Sequence, residues 1–284
     1  MLKLQTPVSD AACSVGISYS DKIMMIGSCF TDNIGTLLRN YGFDVCVNPF
    51  GTLYNPASVA ESIKRLISGE HFTLEDCMEI GAGDTRTCSF HHHTSYACPD
   101  RNEFIENANR RLEQACSFFK DCNKVIITLG TSWCYRHVEK NIIVSNCLKR
   151  NPKEFVREFL PANETGRLMK EVMQMCPDKE FIFTVSPIRH FKDGAHGNQL
   201  SKASLLIGVN ETGAEYFPAY EIMMDELRDY RFYADDMCHP SPLAVNYIGE
   251  RFLAWALPES EQERLKENIR AFRHGCHISK KQVL

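Results

Sequence analysis

The chain has 284 residues, of which 44% are apolar and 24% are charged, and its net charge is −4 at pH 7. This length allows one large α/β domain or two small ones. Lys and Arg are scattered along the chain, which excludes the basic stripe of a nucleic-acid-binding protein. No apolar run approaches the roughly 18 residues that are needed to span a bilayer. We therefore expect neither a nucleic-acid partner nor a membrane partner.

The thirteen Cys are spread over the whole length, without a C-x-x-C pair or a compact framework. The N-terminal segment MLKLQTPVSD turns polar almost at once and has no pattern of an export signal. Unpaired thiols without such a signal predict a cytoplasmic protein, because thiols stay reduced in that compartment.

Short β-rich apolar runs alternate with helical patterns along the chain. In chain order, the patterns predict a strand at 22–27, helices at 34–41 and 57–67 on either side of a strand at 43–51, an irregular stretch at 70–100, a helix at 103–119, a strand at 124–130, a small hairpin at 134–148, a helix at 152–175, a strand at 180–187, and helices at 199–206, 243–256 and 259–273. This alternation is typical of βαβ units, so we expect a mainly parallel sheet covered by helices on both faces.

No linker or internal repeat divides the pattern, so residues 1–284 are interpreted as a single domain with a charged helical extension at about 257–284. Sites in such sheets form at the carboxyl ends of the strands. Ser28, Gly51, Thr131 and Ser186 each follow a predicted strand and are expected at that edge.

The segment MMIGSCFTD (24–32) places a hydroxyl and a thiol side by side between a predicted strand and a helix. Ser28 could be a nucleophile there, or an ordinary helix cap. Cys29 is the alternative nucleophile, because a helix N-terminus lowers the pKa of a thiol. Only one of two adjacent side chains can face a given base.

The segment YADDMCHPSP (233–242) contains Asp236 and His239 three residues apart, just before a predicted helix. A carboxylate that accepts Nδ1–H of a histidine leaves Nε2 free to take a proton from a nucleophile. The same spacing also occurs in salt-bridged surface turns. Together with Ser28, the pair favours a Ser-His-Asp triad.

Gly27-Ser28, Gly51, Gly130 and the pair Asp236-x-x-His239 resemble the ordered blocks of the SGNH (GDSL-like) hydrolases. The segments GSCF, NPFGTLYNP, TLGTSWCY and SPIRHFKDG resemble the bacterial GSCFA family of that group. The resemblance, from about residue 20 to 256, implies a three-layer α/β/α, flavodoxin-like fold.

The resemblance also implies roles for individual residues: Ser28 as nucleophile, His239 as base and Asp236 as its orienting group. The backbone N–H groups of Ser28 and Gly51 would be the oxyanion donors. SGNH enzymes usually carry a further oxyanion donor, an Asn after the third Gly, where this chain has Thr131 and Ser132. Loss of one such donor typically costs about 10²–10³ in rate.

Further polar or aromatic side chains near the predicted strand ends are candidates for substrate binding. They are His92, His93, Trp133, Arg189, His190, Asn198 and Lys202. Three successive His cannot all face one ion from a strand, so we expect no metal and no other cofactor.

These patterns predict a serine-dependent ester hydrolase that removes a small acyl group from a carbohydrate or related metabolite through an acyl-enzyme. The same triad could serve an acyltransferase. Two alternatives remain open: a catalytically inactive ligand-binding protein on the same fold, and amide chemistry through Cys29. The acyl group, its acceptor and the oligomeric state are left open.

Overall fold

A five-stranded parallel sheet forms the centre of the computed structural model, which describes residues 6–9 and 13–281. In chain order the helices and strands are β1 (Lys22–Gly27), α1 (Cys29–Asn40), β2 (Asp44–Val47), α2 (Pro56–Ser68), β3 (Met78–Glu79), β4 (Thr87–Cys88), α3 (Arg101–Asp121), β5 (Lys124–Leu129), β6 (Trp133–His137), β7 (Ile142–Val144), β8 (Phe155–Phe159), α4 (Ala162–Met175), β9 (Glu180–Val185), α5 (Gly194–Asn210), β10 (Glu215–Phe217), α6 (Ala219–Glu221), α7 (Pro242–Ala256) and α8 (Gln262–Lys281).

The strand order of the central sheet is β10-β9-β5-β1-β2, and all four pairings are parallel. Alternate residues of β1 enter two separate apolar clusters, because successive side chains of a strand point to opposite faces. Met24 and Ile26 pack with α2, α3, α4 and α5. Ile23 and Met25 pack with α1 and α7. The predicted α/β class, with helices on both faces of a mainly parallel sheet, is confirmed.

The predicted helix at 152–175 is wrong in its first third. Residues 155–159 form β8, which pairs antiparallel with β6 in a separate three-stranded sheet of order β7-β6-β8. Phe155, Val156 and Phe159 are aromatic or β-branched side chains that favour strands. The helix α4 begins only after Pro161, its N-terminal capping residue. Strand β10 was not predicted, since three residues give too short an apolar pattern.

The C-terminal helix α8 packs against the end of α1. The rings of Phe272 and Tyr41 lie 6.2 Å apart, and the Asn268 side chain donates a hydrogen bond to the Tyr41 carbonyl at 2.8 Å. Leu265 is buried in the same cluster as α1. Among the helices of residues 13–281, none combines the length and the apolar character that crossing a bilayer requires.

Candidate active site

The turn between β1 and α1 is built around Gly27, whose φ of 152° is a conformation that L side chains rarely adopt. A Cβ at this position would lie 2.2 Å from the carbonyl oxygen of Thr128 on the neighbouring strand β5. The Gly27 N–H donates to Asn48 Oδ1 at 2.8 Å. Asn48 therefore fixes the residue that precedes the predicted nucleophile.

Ser28 is the N-terminal cap of α1 and is completely buried, with 0% of its surface exposed. Its Oγ accepts the Phe30 N–H at 3.3 Å, and its own N–H donates to the Thr128 carbonyl at 3.2 Å. The oxygen and the backbone amide of Ser28 are thus both engaged inside the protein. A nucleophilic Ser28 would have to leave the cap and reach an accessible position.

Cys29, the first residue of α1, is only partly buried. Its backbone N–H donates to no other residue among those described, although it acts on the residue's own thiol. Burial and the nearby Asp32 carboxylate raise the pKa of the Cys29 thiol to about 11, against the backbone N–H groups of Cys29 and Phe30, which lower it. The thiol is therefore protonated at neutral pH and needs a base for attack.

Asp236 and His239 are brought together in the loop before α7. Asp236 Oδ2 lies 2.5 Å from His239 Nδ1, and Oδ1 accepts the N–H groups of Cys238 and His239, each at 2.9 Å. The side chains of both residues are about half exposed. The pKa of Asp236 is lowered to about 2, chiefly by the backbone N–H of His239 and then by that of Cys238. The carboxylate is therefore ionised and can orient the ring.

Within residues 13–281, no hydrogen bond joins His239 to Ser28 or to Cys29. The loop that carries His239 is nevertheless attached to the segment that follows β9, because the Arg189 N–H donates to the Cys238 carbonyl at 3.1 Å. Burial, then the charges of Lys202 and His239, lower the pKa of His190 to about 4. His190 is accordingly a neutral neighbour of His239.

The residues predicted as further oxyanion donors make other contacts. The Gly51 N–H donates to the Asn48 carbonyl at 2.8 Å, and so this amide is not free in the present arrangement. Thr131 Oγ1 lies 2.9 Å from Ser201 Oγ and accepts the Trp133 N–H at 3.1 Å. The Ser132 side chain is fully buried, and its Oγ has no hydrogen-bond partner in the described structure.

Of the three successive histidines at positions 91–93, His92 is buried and the other two are partly exposed. His92 is 1% exposed, its Nδ1 bonds Ser89 Oγ at 2.7 Å, and burial lowers its pKa to about 3. The predicted substrate contact of His92 therefore has no support in this geometry. His93 lies close to Gly51: a Cβ added at Gly51 would be 2.4 Å from the His93 Cβ. No cluster of three metal-ligating side chains occurs in the described residues.

Two other predicted substrate-binding residues are buried in helix α5. Lys202 is 1% exposed and donates to the carbonyls of Gly130 and Ser186 at 2.7 and 2.8 Å. Asn198 is 2% exposed and accepts the His190 N–H at 3.0 Å. Lys202 joins the ends of β5 and β9, and Asn198 holds the loop that follows β9, so neither buried side chain is available to contact a substrate directly.

The remaining candidates are more accessible. Trp133 and His190 line a cavity beside the strand edge. Arg189 is partly buried, and its guanidinium lies 5.2 Å from the centre of the Phe191 ring.

Two residues of the site, Asn48 and Tyr54, are not among the residues predicted from the sequence. Asn48 adopts a left-handed φ of 45°, and its Nδ2 donates to Asp32 Oδ1 at 2.7 Å. The Tyr54 carbonyl accepts the N–H groups of Gly130 and Thr131, which fixes the end of β5. The Asn-Pro dipeptide at 48–49 is a turn signal that indicated Asn48, whereas nothing in the local pattern indicated Tyr54.

Among solved structures, the chain is similar to the psychrotrophic esterase EstA from Pseudoalteromonas sp., determined in a form inhibited by monoethylphosphonate. The two are 11% identical with a TM-score of 0.41, and the similarity covers 83% of this chain and 96% of the esterase. A search of curated proteins found no match.

The model of one protein family, described as the GSCFA family, matches residues 22–252. The match begins at β1, whose end carries the GSCF segment, and extends into α7, which follows the Asp236–His239 loop. It thus includes every candidate catalytic residue. The chain belongs to the GSCFA family.

Proposed function

We propose that this protein is a hydrolase that cleaves an ester by acyl transfer. His239 is the base, Asp236 orients it, and the nucleophile comes from the Ser28–Cys29 pair at the start of α1. The observation that carries the proposal is the double attachment of Asp236 to His239, which leaves Nε2 as the free ring nitrogen. Such an arrangement is what a general base for a hydroxyl or thiol requires.

The steps follow ordinary acyl-transfer chemistry. The nucleophile attacks the ester carbonyl as its proton passes to His239 Nε2, and the alcohol leaves with that proton. Water then attacks the acyl-enzyme, with His239 again taking a proton, and the acid is released. An alcohol in place of water gives an acyltransferase. The expected substrate, a small acyl group on a carbohydrate or related metabolite, belongs to this proposal.

Accessibility separates the two candidate nucleophiles. Ser28, which the sequence pattern favours, is fully buried and caps α1. Cys29 is partly exposed, and its N–H, at the first position of α1, donates to no other residue in the described part of the chain. Accessibility therefore favours Cys29. Its raised pKa makes a base necessary for attack by the thiol, and a serine hydroxyl needs a base as well.

The experiment is acyl-enzyme trapping with short-chain 4-nitrophenyl esters, quenched in acid and read by intact mass and peptide mapping. Wild type, Ser28→Ala, Cys29→Ala and His239→Ala are compared, with Cys238→Ala as the matched control for incidental thiol acylation. One adduct on residue 28 or 29 that disappears in His239→Ala supports the proposal. Neutral hydroxylamine removes a thioester rapidly and an oxygen ester slowly, which identifies the nucleophile independently of the mapping.

A folded wild-type protein that forms no adduct and releases no nitrophenol would contradict the proposal. That outcome would favour the second class of function, a ligand-binding protein on the same fold. The engaged amides of Ser28 and Gly51 are the observation in favour of that alternative, since they reduce the number of free oxyanion donors.

A further inference from the structure

The three-stranded sheet β7-β6-β8 and the loop between β9 and α5 enclose a cavity of about 490 Å³. This size is typical of sites for small organic ligands. Its lining includes Tyr54, Thr131, which follows β5, and His190, and the Tyr54 and His190 rings lie 6.2 Å apart. The cavity therefore opens from the edge of the central sheet at which the candidate catalytic residues lie. His239, Ser28 and Cys29 are not part of its lining.

We propose that this cavity binds the part of the substrate in which a carboxylate or a phosphate is attached to a ring whose face can stack on an aromatic side chain. The inference rests on the proposed function, because it names the class of substrate that the same site would accept. It is supported by the aromatic walls, by one phenol hydrogen without an acceptor in the described residues and by the charge balance of the lining.

The walls of the cavity are aromatic. Trp133, Tyr135 and Phe155 all line it. The Arg157 guanidinium lies 5.1 Å from the centre of the Trp133 ring and 4.9 Å from that of Tyr135. Rings held in this way by a guanidinium are rigid platforms on which the face of a planar ligand or a sugar can stack.

The Tyr135 hydroxyl belongs to the lining of the cavity and keeps a hydrogen that it can donate. Its oxygen accepts from Arg157 Nη1 and from Lys192 Nζ, the latter at 2.5 Å. Because the oxygen accepts two donors, its hydrogen is left to donate. No acceptor for this hydrogen occurs in the described part of the chain, and an oxygen of a bound ligand would supply one.

The lining carries one positive charge that no carboxylate balances. Arg157 pairs with Asp193, and Arg150 pairs with Glu154 at 2.7 Å. Lys192 has no carboxylate partner within residues 13–281; its Nζ donates to the Tyr135 hydroxyl and lies 4.9 Å from the centre of the Tyr135 ring. An anionic group beside the phenol would therefore meet an ammonium and an O–H donor together, which is a favourable, charge-assisted combination.

The test is calorimetric titration of the full chain with phenyl phosphate and phenylacetate, and with neutral 2-phenylethanol as the uncharged probe. We expect both anions to bind wild type more tightly than the alcohol. Lys192→Met and Tyr135→Phe should each weaken the anions by about fivefold or more while leaving the alcohol unchanged. Lys140→Met is the matched control, since Lys140 is exposed at the far turn of the same small sheet and does not line the cavity.

Binding of the alcohol as tight as that of the anions, or an unchanged affinity for the anions in folded Lys192→Met, would overturn the inference. The proposed function is tested separately, because calorimetry needs no turnover. Anion binding without any acyl-enzyme would support the assignment of the cavity and contradict the proposed hydrolase activity. An acyl-enzyme without a preference for anions in the titrations would support the hydrolase and contradict the assignment of the cavity. Parallel titrations with phosphate and carboxylate probes show which anion the cavity prefers.

Discussion

Asp236 contacts His239 through both carboxylate oxygens: Oδ2 lies 2.5 Å from Nδ1, and Oδ1 accepts the His239 backbone N–H at 2.9 Å. One side chain thus fixes both the loop and the ring. The folded-state pKa of Asp236, about 2, lies below the usual value for Asp. The stabilising contribution of this carboxylate is therefore present above pH 4 and is lost only as the pH falls towards 2.

Replacement of Asp236 by Asn should remove activity and preserve the fold. The amide oxygen can still accept the two backbone N–H groups, but the NH₂ group then faces Nδ1 and forces the ring proton onto Nε2. His239 can no longer act as a base, so kcat/KM should fall roughly 10²–10⁴-fold. Ester turnover and thermal unfolding measure the two effects. Asp235→Asn, which changes the neighbouring exposed carboxylate, should leave kcat/KM nearly unchanged, and an equal loss in both variants would contradict this role for Asp236.

Replacement of Gly27 by Ala should destabilise the protein strongly. The new Cβ would lie 2.2 Å from the Thr128 carbonyl oxygen at a φ of 152°, so the two strands must separate. We expect a loss of about 3 kcal/mol or more in the free energy of unfolding, measured by urea titration. Gly69→Ala is the control: its φ is 65° with no atom within 4 Å of the added Cβ, and strain alone should cost about 1 kcal/mol. Equal losses would show that the contact with β5 is unimportant.

The thiol of Cys29 should react slowly at neutral pH and faster as the pH rises. Its raised pKa follows first from burial and then from Asp32, and the thiolate is the reactive form. Asp32→Asn keeps the acceptor for Asn48 but removes the negative charge, which lowers the thiol pKa and speeds alkylation several-fold at pH 8. Iodoacetamide labelling with peptide mapping, from pH 7 to 10, measures this.

Asp44→Asn serves as the control for that experiment, because Asp44 is exposed at the start of β2 and its charge acts on Cys46. It should leave the rate at Cys29 unchanged. A wild-type rate that is already constant from pH 7 upwards would mean that Cys29 is a thiolate in the resting protein, contrary to the geometry described above.

The sequence predicts those parts of the molecule that depend on short-range patterns. The strand, cap and helix around residues 22–40 follow from an apolar run, a Ser and an amphipathic segment. The strand β8 was misassigned because its pairing partner, β6, lies about twenty residues away and the local pattern also fits a helix. A pairing across that distance is a tertiary effect that overrides local propensity.

In the site, too, local contacts can be predicted from the sequence and features that depend on tertiary packing cannot. Asp236 and His239 lie three residues apart, so their contact could be anticipated from the spacing. The difference in exposure between Ser28 and Cys29 could not, because it depends on packing against β5. Tyr54 contributes a backbone carbonyl, which no side-chain pattern can indicate.

Lys202 is buried between the ends of β5 and β9. Burial, with a smaller effect from Arg189 and an opposing one from Cys29, lowers its pKa to about 7. A neutral amine has two N–H donors, which match the carbonyls of Gly130 and Ser186. The unfolded lysine stays protonated up to about pH 10, so between pH 7 and 10 the unfolded state binds more protons and the free energy of unfolding rises with pH.

Lys202→Met removes this dependence and leaves both carbonyls without their donor, at a cost of about 1–3 kcal/mol for each group that stays buried. The stability difference between wild type and Lys202→Met should therefore grow as urea titrations move from pH 6.5 to 9.5. Lys170→Met, at an exposed position of α4, should show no such trend. A difference that stays constant with pH, or shrinks, would mean that Lys202 stays charged in the folded protein, and the ends of β5 and β9 would then be joined by an ammonium rather than an amine.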